Sequence, residues 1–173
     1  RPAVWSGWPT EPRQGSVGGG PVGSAAGSDE DSGQFRRSIQ ESEVITGSCL
    51  CGAIRIEIDE PLEQAPEACH CTQCRKQTGH FFVGVNVRRS ALRVQGEAEL
   101  RWYASSEQVR RGFCGTCGST LFWAPTLPGY AWTSVALGCL DTAPPLKIAK
   151  HTYVADKGGY YEIADGAPQR PAF

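Results

Sequence analysis

Seven of the eight cysteines in this 173-residue chain fall into three tight groups. Cys49 and Cys51 sit in GSCLCG, Cys69, Cys71 and Cys74 in ACHCTQC, and Cys114 and Cys117 in FCGTCGS, while Cys139 stands alone in LGCLD. Thiolates one or two residues apart on a tight turn can reach a single tetrahedral ion with each sulfur at ~2.3 Å. A glycine after the second cysteine of a pair lets the backbone turn so that its N–H groups face sulfur, and Gly52 and Gly118 occupy that place. A disulfide framework is the competing reading of eight cysteines, but such frameworks belong mostly to short secreted chains without a core of their own. The clustering favours zinc.

The two pairs, each leading into β-rich sequence, form the halves of a ribbon-type four-cysteine site made of Cys49, Cys51, Cys114 and Cys117. The long segment between them gives that ion a structural task, stapling an N-terminal strand to one in mid-chain. Cys69, Cys71 and Cys74 can all face one ion from a single loop, and three protein ligands with an open fourth position is the arrangement that separates catalytic from structural zinc. The expectation is two zinc ions per chain, the second keeping a place for water or a small-molecule thiol. A closed second site is the alternative. Its fourth ligand would be His70, whose place between two ligating cysteines turns its side chain away, or Cys139 or His151 arriving from afar. Cys139, inside the apolar run VALGCL, reads better as a buried small hydrophobe.

Cations stand near these sulfurs. Arg75 and Lys76 follow Cys74 directly and are the candidates to present positive charge to an acidic substrate. Arg110 and Arg111 are balanced between the same role and a solvated surface. His80 and His151 are isolated histidines in β-rich sequence, where a structural role is commoner, and His151 is kept as a candidate substrate contact.

The elements that must position these groups have period two. In AIRIEID, residues 53–59, Ile54, Ile56 and Ile58 alternate with charged residues, which predicts a strand with one buried face. Further β-rich runs span residues 80–87, 91–94, 98–104, 119–124, 131–137 and 146–154, punctuated by Gly, Pro, Asp or Asn. Helical patterning is weak. The best short helix begins at Cys74 in CRKQTG and stops at Gly79. The fold class is therefore mainly β.

The chain divides near residue 44. Residues 1–44 are rich in Gly, Ser, Pro and charge, contain no cysteine, and offer too little apolar periodicity to offset ordering entropy, so a disordered tail is expected there. The domain is expected over residues 45–173. The tail carries four Lys/Arg and six Asp/Glu, and the whole chain a formal charge of −1, which disfavours nucleic acid as a partner. With a mean hydropathy of −0.33 and no apolar run near the ~20 residues of a membrane helix, no membrane segment is expected. The chain has no Met, which reads as a processed product or a piece of a longer chain.

The segments GSCLCGAIR, CHCTQCRKQTG, SSEQVRRGFCGTCGSTLFW, GCLD and DGAPQRPAF stand in the order and spacing of the glutathione-dependent formaldehyde-activating enzyme family, which includes centromere protein V. The chain resembles that family over residues 45–173. The resemblance implies a β-tent, zinc-ribbon-like fold of small coiled antiparallel sheets around a structural zinc, with Cys49, Cys51, Cys114 and Cys117 on the structural site and Cys69, Cys71 and Cys74 on the catalytic one. It further implies a cytoplasmic carbon-sulfur lyase acting on a thiol adduct, such as that of glutathione and formaldehyde. The alternative is a non-catalytic, zinc-stabilised binding module like centromere protein V, although the acidic tail gives a polyanion little to hold. The chain departs from the family at His80, Phe81 and Phe82, where small residues are frequent, and at Tyr160 and Tyr161, near a frequent Trp.

Overall fold

The structure, a computed structural model, describes residues 44–142 and 145–173. The tail expected over residues 1–44 lies outside the described residues, apart from Val44. Among the described residues the chain is mainly β, with ten strands and one short α-helix.

Strand β1 (Ile45–Ser48) pairs antiparallel with β2 (Arg55–Ile58), and β2 with β5 (Leu92–Gln95), giving a three-stranded sheet. The alternation legible at residues 53–59 sets its faces: Ile54, Ile56 and Ile58 are fully buried and Arg55 is exposed. Burial of each such side chain contributes about 1.5–3 kcal/mol. The larger sheet contains β3 (Glu67–Cys69), β4 (Phe82–Arg88), β6 (Leu100–Ser106), β7 (Val109–Cys114), β8 (Thr120–Pro125), β9 (Trp132–Ala136) and β10 (Lys150–Thr152). Its spatial order is β10-β3-β4-β9-β8-β7-β6. Neighbours are antiparallel with one exception: β10 lies parallel to β3, with His151 beside Ala68 and Thr152 beside Cys69.

The sequence pattern alone located neither β3 nor β7. Both are short or carry consecutive polar residues, so period two is masked. The helix α1 (Thr72–Thr78) starts two residues before the expected Cys74, because Cys71 caps it: its sulfur accepts from the Cys74 N–H at 3.4 Å. Gly79, at φ 79°, ends it as expected.

Candidate metal centres and the cavity beside them

The first centre grows from two matching knuckles. After β1, Cys49 N–H bonds Ile54 O at 3.0 Å and Gly52 N–H bonds Cys49 O at 2.9 Å; after β7, Cys114 N–H bonds Ser119 O at 3.0 Å and Gly118 N–H bonds Cys114 O at 2.9 Å. The positive φ this turn demands falls on Gly52 and Gly118, at 74° and 77°. Ser119 ties the knuckles together, its hydroxyl accepting from Leu50 N–H at 3.0 Å and lying 3.2 Å from Cys117 Sγ. The ligand atoms of Cys49, Cys51, Cys114 and Cys117 lie within 4.8 Å of one another.

Their spacing is a test for metal. A tetrahedron with Zn–S near 2.3 Å has edges of about 3.8 Å, whereas a disulfide is near 2.05 Å. Cys49 Sγ and Cys51 Sγ are 3.5 Å apart, and Cys51 Sγ and Cys114 Sγ 3.8 Å. All eight cysteines are free. The donor set therefore fits a zinc ion, and Cys49 and Cys114 are buried in the hydrophobic core beside Ile54 and Leu121. Hydrogen bonds from the Ser119 hydroxyl and backbone hold Cys117 down to about 5, while Cys51, hydrogen-bonded to Cys49, is pushed up to about 12.

The second centre comes from one short stretch. Cys69 ends β3, Cys71 caps α1, and Cys74 lies one turn into the helix, which brings the i and i+3 sulfurs to one face. Their ligand atoms also lie within 4.8 Å of one another. The Cys74 thiol beside Cys69 holds it down to about 6, against the opposing effect of burial; Cys74 moves up, as the donor of that pair and a buried group. This donor set likewise fits a thiophilic cation. The trio borders a cavity of about 700 Å³ whose walls include Phe82, Trp123, Tyr130 and Tyr153. The four-cysteine cluster contributes nothing to those walls.

The cation facing the trio is Arg111 on β7, only 4% exposed. One guanidinium nitrogen reaches Cys74 Sγ at 3.5 Å and Gln77 Oε1 at 3.0 Å, and the other reaches Gln73 Oε1 at 3.2 Å. Its Nε is buried without a hydrogen-bond partner. Gln73, Cys74 and Gln77 form one face of α1, and the 100° turn per residue carries Arg75 and Lys76 off it. Accordingly Arg111 lines the cavity, while Arg75, Lys76 and His151 are not among its walls. Arg75 is half-buried and Lys76 exposed. The neighbouring arginine points the other way: Arg110 lies over the Trp102 ring at 4.1 Å. Opposite fates for adjacent residues are what a strand imposes, and reading residues 109–114 as a strand would have marked Arg111 as inward.

The remaining candidates fall elsewhere. Cys139 is buried, its thiol donating to Ala136 O at 3.0 Å, and it belongs to neither cluster. His70 is fully buried but turned away from the trio, as its place between two cysteines implied. Burial lowers His70 to about 4. His80 packs among Phe81, Tyr160 and Tyr161.

The family model described as glutathione-dependent formaldehyde-activating enzyme matches residues 44–156. The chain belongs to this family. An uncharacterized lyase of Schizosaccharomyces pombe is 35% identical over 82 residues, covering 46% of this chain and 57% of the relative. A Halomonas elongata protein whose name assigns it to the same enzyme family is 30% identical over 86 residues, covering 46% of this chain and 55% of the relative. The chain thus spans little more than half the length of these curated relatives. A crystal structure of a Rhodobacter sphaeroides protein is 28% identical, with a TM-score of 0.48, and the match covers 58% of this chain and 91% of that one. No helix among the described residues is long and apolar enough to cross a membrane.

Proposed function

We propose that this chain is a zinc-dependent carbon-sulfur lyase that joins a small-molecule thiol to a carbonyl carbon, or parts them, at the centre made by Cys69, Cys71 and Cys74. The observation that carries the reading is the contrast in surroundings: the trio opens on a cavity of about 700 Å³, whereas the four-cysteine cluster lines no part of that cavity and sets Cys49 and Cys114 in the core. A zinc ion held by three thiolates would supply Lewis acidity and a position at which a substrate thiol is deprotonated at neutral pH. Cys49, Cys51, Cys114 and Cys117 would hold a second, structural ion within a β-tent fold.

The chain's own side chains supply the rest. Arg111 offsets the negative charge of the thiolates and opposes the upward shift that Cys69 and burial impose on Cys74, because a buried guanidinium favours the anion it touches. Phe82, Trp123, Tyr130 and Tyr153 limit water around the reacting atoms. In the addition the S–C bond forms, the carbonyl π bond opens, and the thiol proton ends on the oxygen; elimination runs this backwards. The family description and the name of the Halomonas elongata relative favour glutathione and formaldehyde as the pair, giving S-hydroxymethylglutathione. A thiolate centre of this kind suits a reducing compartment, and a cytoplasmic location is part of the proposal.

The test is the rate of adduct formation from glutathione and formaldehyde, followed by exchange NMR with zinc-loaded wild type and Cys71→Ser. Acceleration by wild type alone supports the reading. Equal rates with both proteins, and no thiol bound by either, would leave a non-catalytic zinc-stabilised module.

A further inference from the structure

None of the three histidines of the chain lines the cavity, and two of them, both buried, are linked to groups from the C-terminal segment. Tyr161 Oη lies 2.5 Å from His70 Nδ1, His70 Nε2 lies 2.8 Å from His151 Nδ1, and His151 Nε2 lies 2.9 Å from Asp165 Oδ2. His70 and His151 are 0% and 2% exposed.

With both rings neutral, the hydrogens of this chain have one consistent arrangement. A carboxylate can only accept, so His151 carries its proton on Nε2 and offers bare Nδ1 inward. His70 must then donate from Nε2, which leaves its Nδ1 to accept the Tyr161 hydroxyl. Each link fixes the next. Removing the carboxylate frees His151 to take the other tautomer and loosens every link.

His70 sits in sequence between Cys69 and Cys71. Its backbone N–H bonds Thr152 O at 2.9 Å, joining the loop to β10. A ring held on one side of the chain sends both flanking cysteines to the other, the side where Cys74 completes the trio. The segment bearing Tyr161 and Asp165 is held in turn by β10, through His151 N–H to Pro168 O and Arg170 N–H to His151 O, each at 2.8 Å.

We propose that His70 is a positioning residue for the three-cysteine centre, and that Tyr161 and Asp165, which lie beyond the span of the family match, belong to that centre by acting through it. The proposal rests on the reading of the trio as a metal site. It gives residues 157–173 a task that their distance from the cysteines in sequence conceals.

Titration of the metal-free full chain with Co²⁺, read by sulfur-to-cobalt charge-transfer absorption and by competition with a chelator, gives a separate affinity for each centre. The four-cysteine centre is an internal control for folding. In Tyr161→Phe and Asp165→Ala the three-cysteine centre should weaken about tenfold with the other unchanged, within the 10–100-fold range for groups that orient metal ligands. Asp165→Asn, which keeps an acceptor oxygen, should restore most of the loss, and His70→Ala should show the largest. Wild-type affinity at both centres in Tyr161→Phe and Asp165→Ala would overturn the proposal, as would equal weakening of both, which marks a role in global stability alone. Uptake of a single ion by wild type would instead overturn the metal reading beneath it, so the two failures are distinct.

Discussion

The four-cysteine cluster draws its sulfurs from two knuckles, with Cys51 and Cys114 63 residues apart, whereas the trio comes from the six residues between Cys69 and Cys74. The first is wrapped by Ile54, Leu121 and the knuckle hydrogen bonds; the second borders a cavity and faces a buried arginine. Ligand chemistry is the same in both, so the difference in role we propose arises from what surrounds the sulfurs. A centre that bridges distant strands offsets the entropy of closing a long loop and stabilises the whole domain. One built within a single loop adds little to global stability, which leaves its coordination free to serve binding.

Loss of one ligand from each centre should break this comparison most visibly. Cys114→Ser removes a fully buried cysteine of the proposed stapling site, where structural zinc contributes on the order of 10 kcal/mol in small zinc domains, and should abolish the cooperative thermal transition. Cys71→Ser should retain that transition and hold one zinc in place of two, counted by elemental analysis. A folded Cys114→Ser protein with one ion would exchange the roles assigned to the centres.

Arg111 tests whether the trio's surroundings matter as much as its ligands. Arg111→Met should weaken thiol binding about 10–100-fold, as expected when a group orienting a metal ligand is lost, and Arg111→Lys should recover only part because a single ammonium cannot bridge Gln73, Gln77 and Cys74 together. Isothermal titration with glutathione reads both. Undiminished affinity in Arg111→Met would mean that the trio acts without a partner cation.

Smaller effects sharpen the boundary of each centre. Cys139→Ala should keep two zinc ions and lower stability by about 1 kcal/mol, since it removes a buried sulfur and its hydrogen bond to Ala136 O. Arg75→Ala should change glutathione affinity least, within about twofold, because that side chain is not part of the cavity wall. A large loss in Arg75→Ala would return to Arg75 the substrate contact that its position after Cys74 suggested.

Both cysteine clusters were legible in the sequence because the gathering of closely spaced cysteines is a local property: spacing, knuckle glycines and the stop at Gly79 are all short-range signals. The faces of β2 were legible for the same reason. Arg111 was not, since its significance depends on pairing β7 into the sheet, and two adjacent arginines look alike until a strand sends them to opposite sides. Sequence position likewise favoured Arg75 and Lys76, which the helical turn then carries off the cavity. The partners of His70 were the least accessible, because contacts to Tyr161 and His151 span 91 and 81 residues and no local pattern announces them.

The central claim is that one centre is saturated by protein sulfur and the other is not. X-ray absorption at the zinc edge measures this directly on the two-zinc protein. Seven cysteine sulfurs shared by two ions give an average of 3.5 sulfurs per zinc, with a light atom completing the trio's shell. Excess glutathione should raise the average to about 4 in wild type and leave Cys71→Ser, which lacks a trio ligand, without the same increase. An average of 3.5 that no thiol changes, or a nitrogen or oxygen of the protein filling the fourth place, would contradict the account.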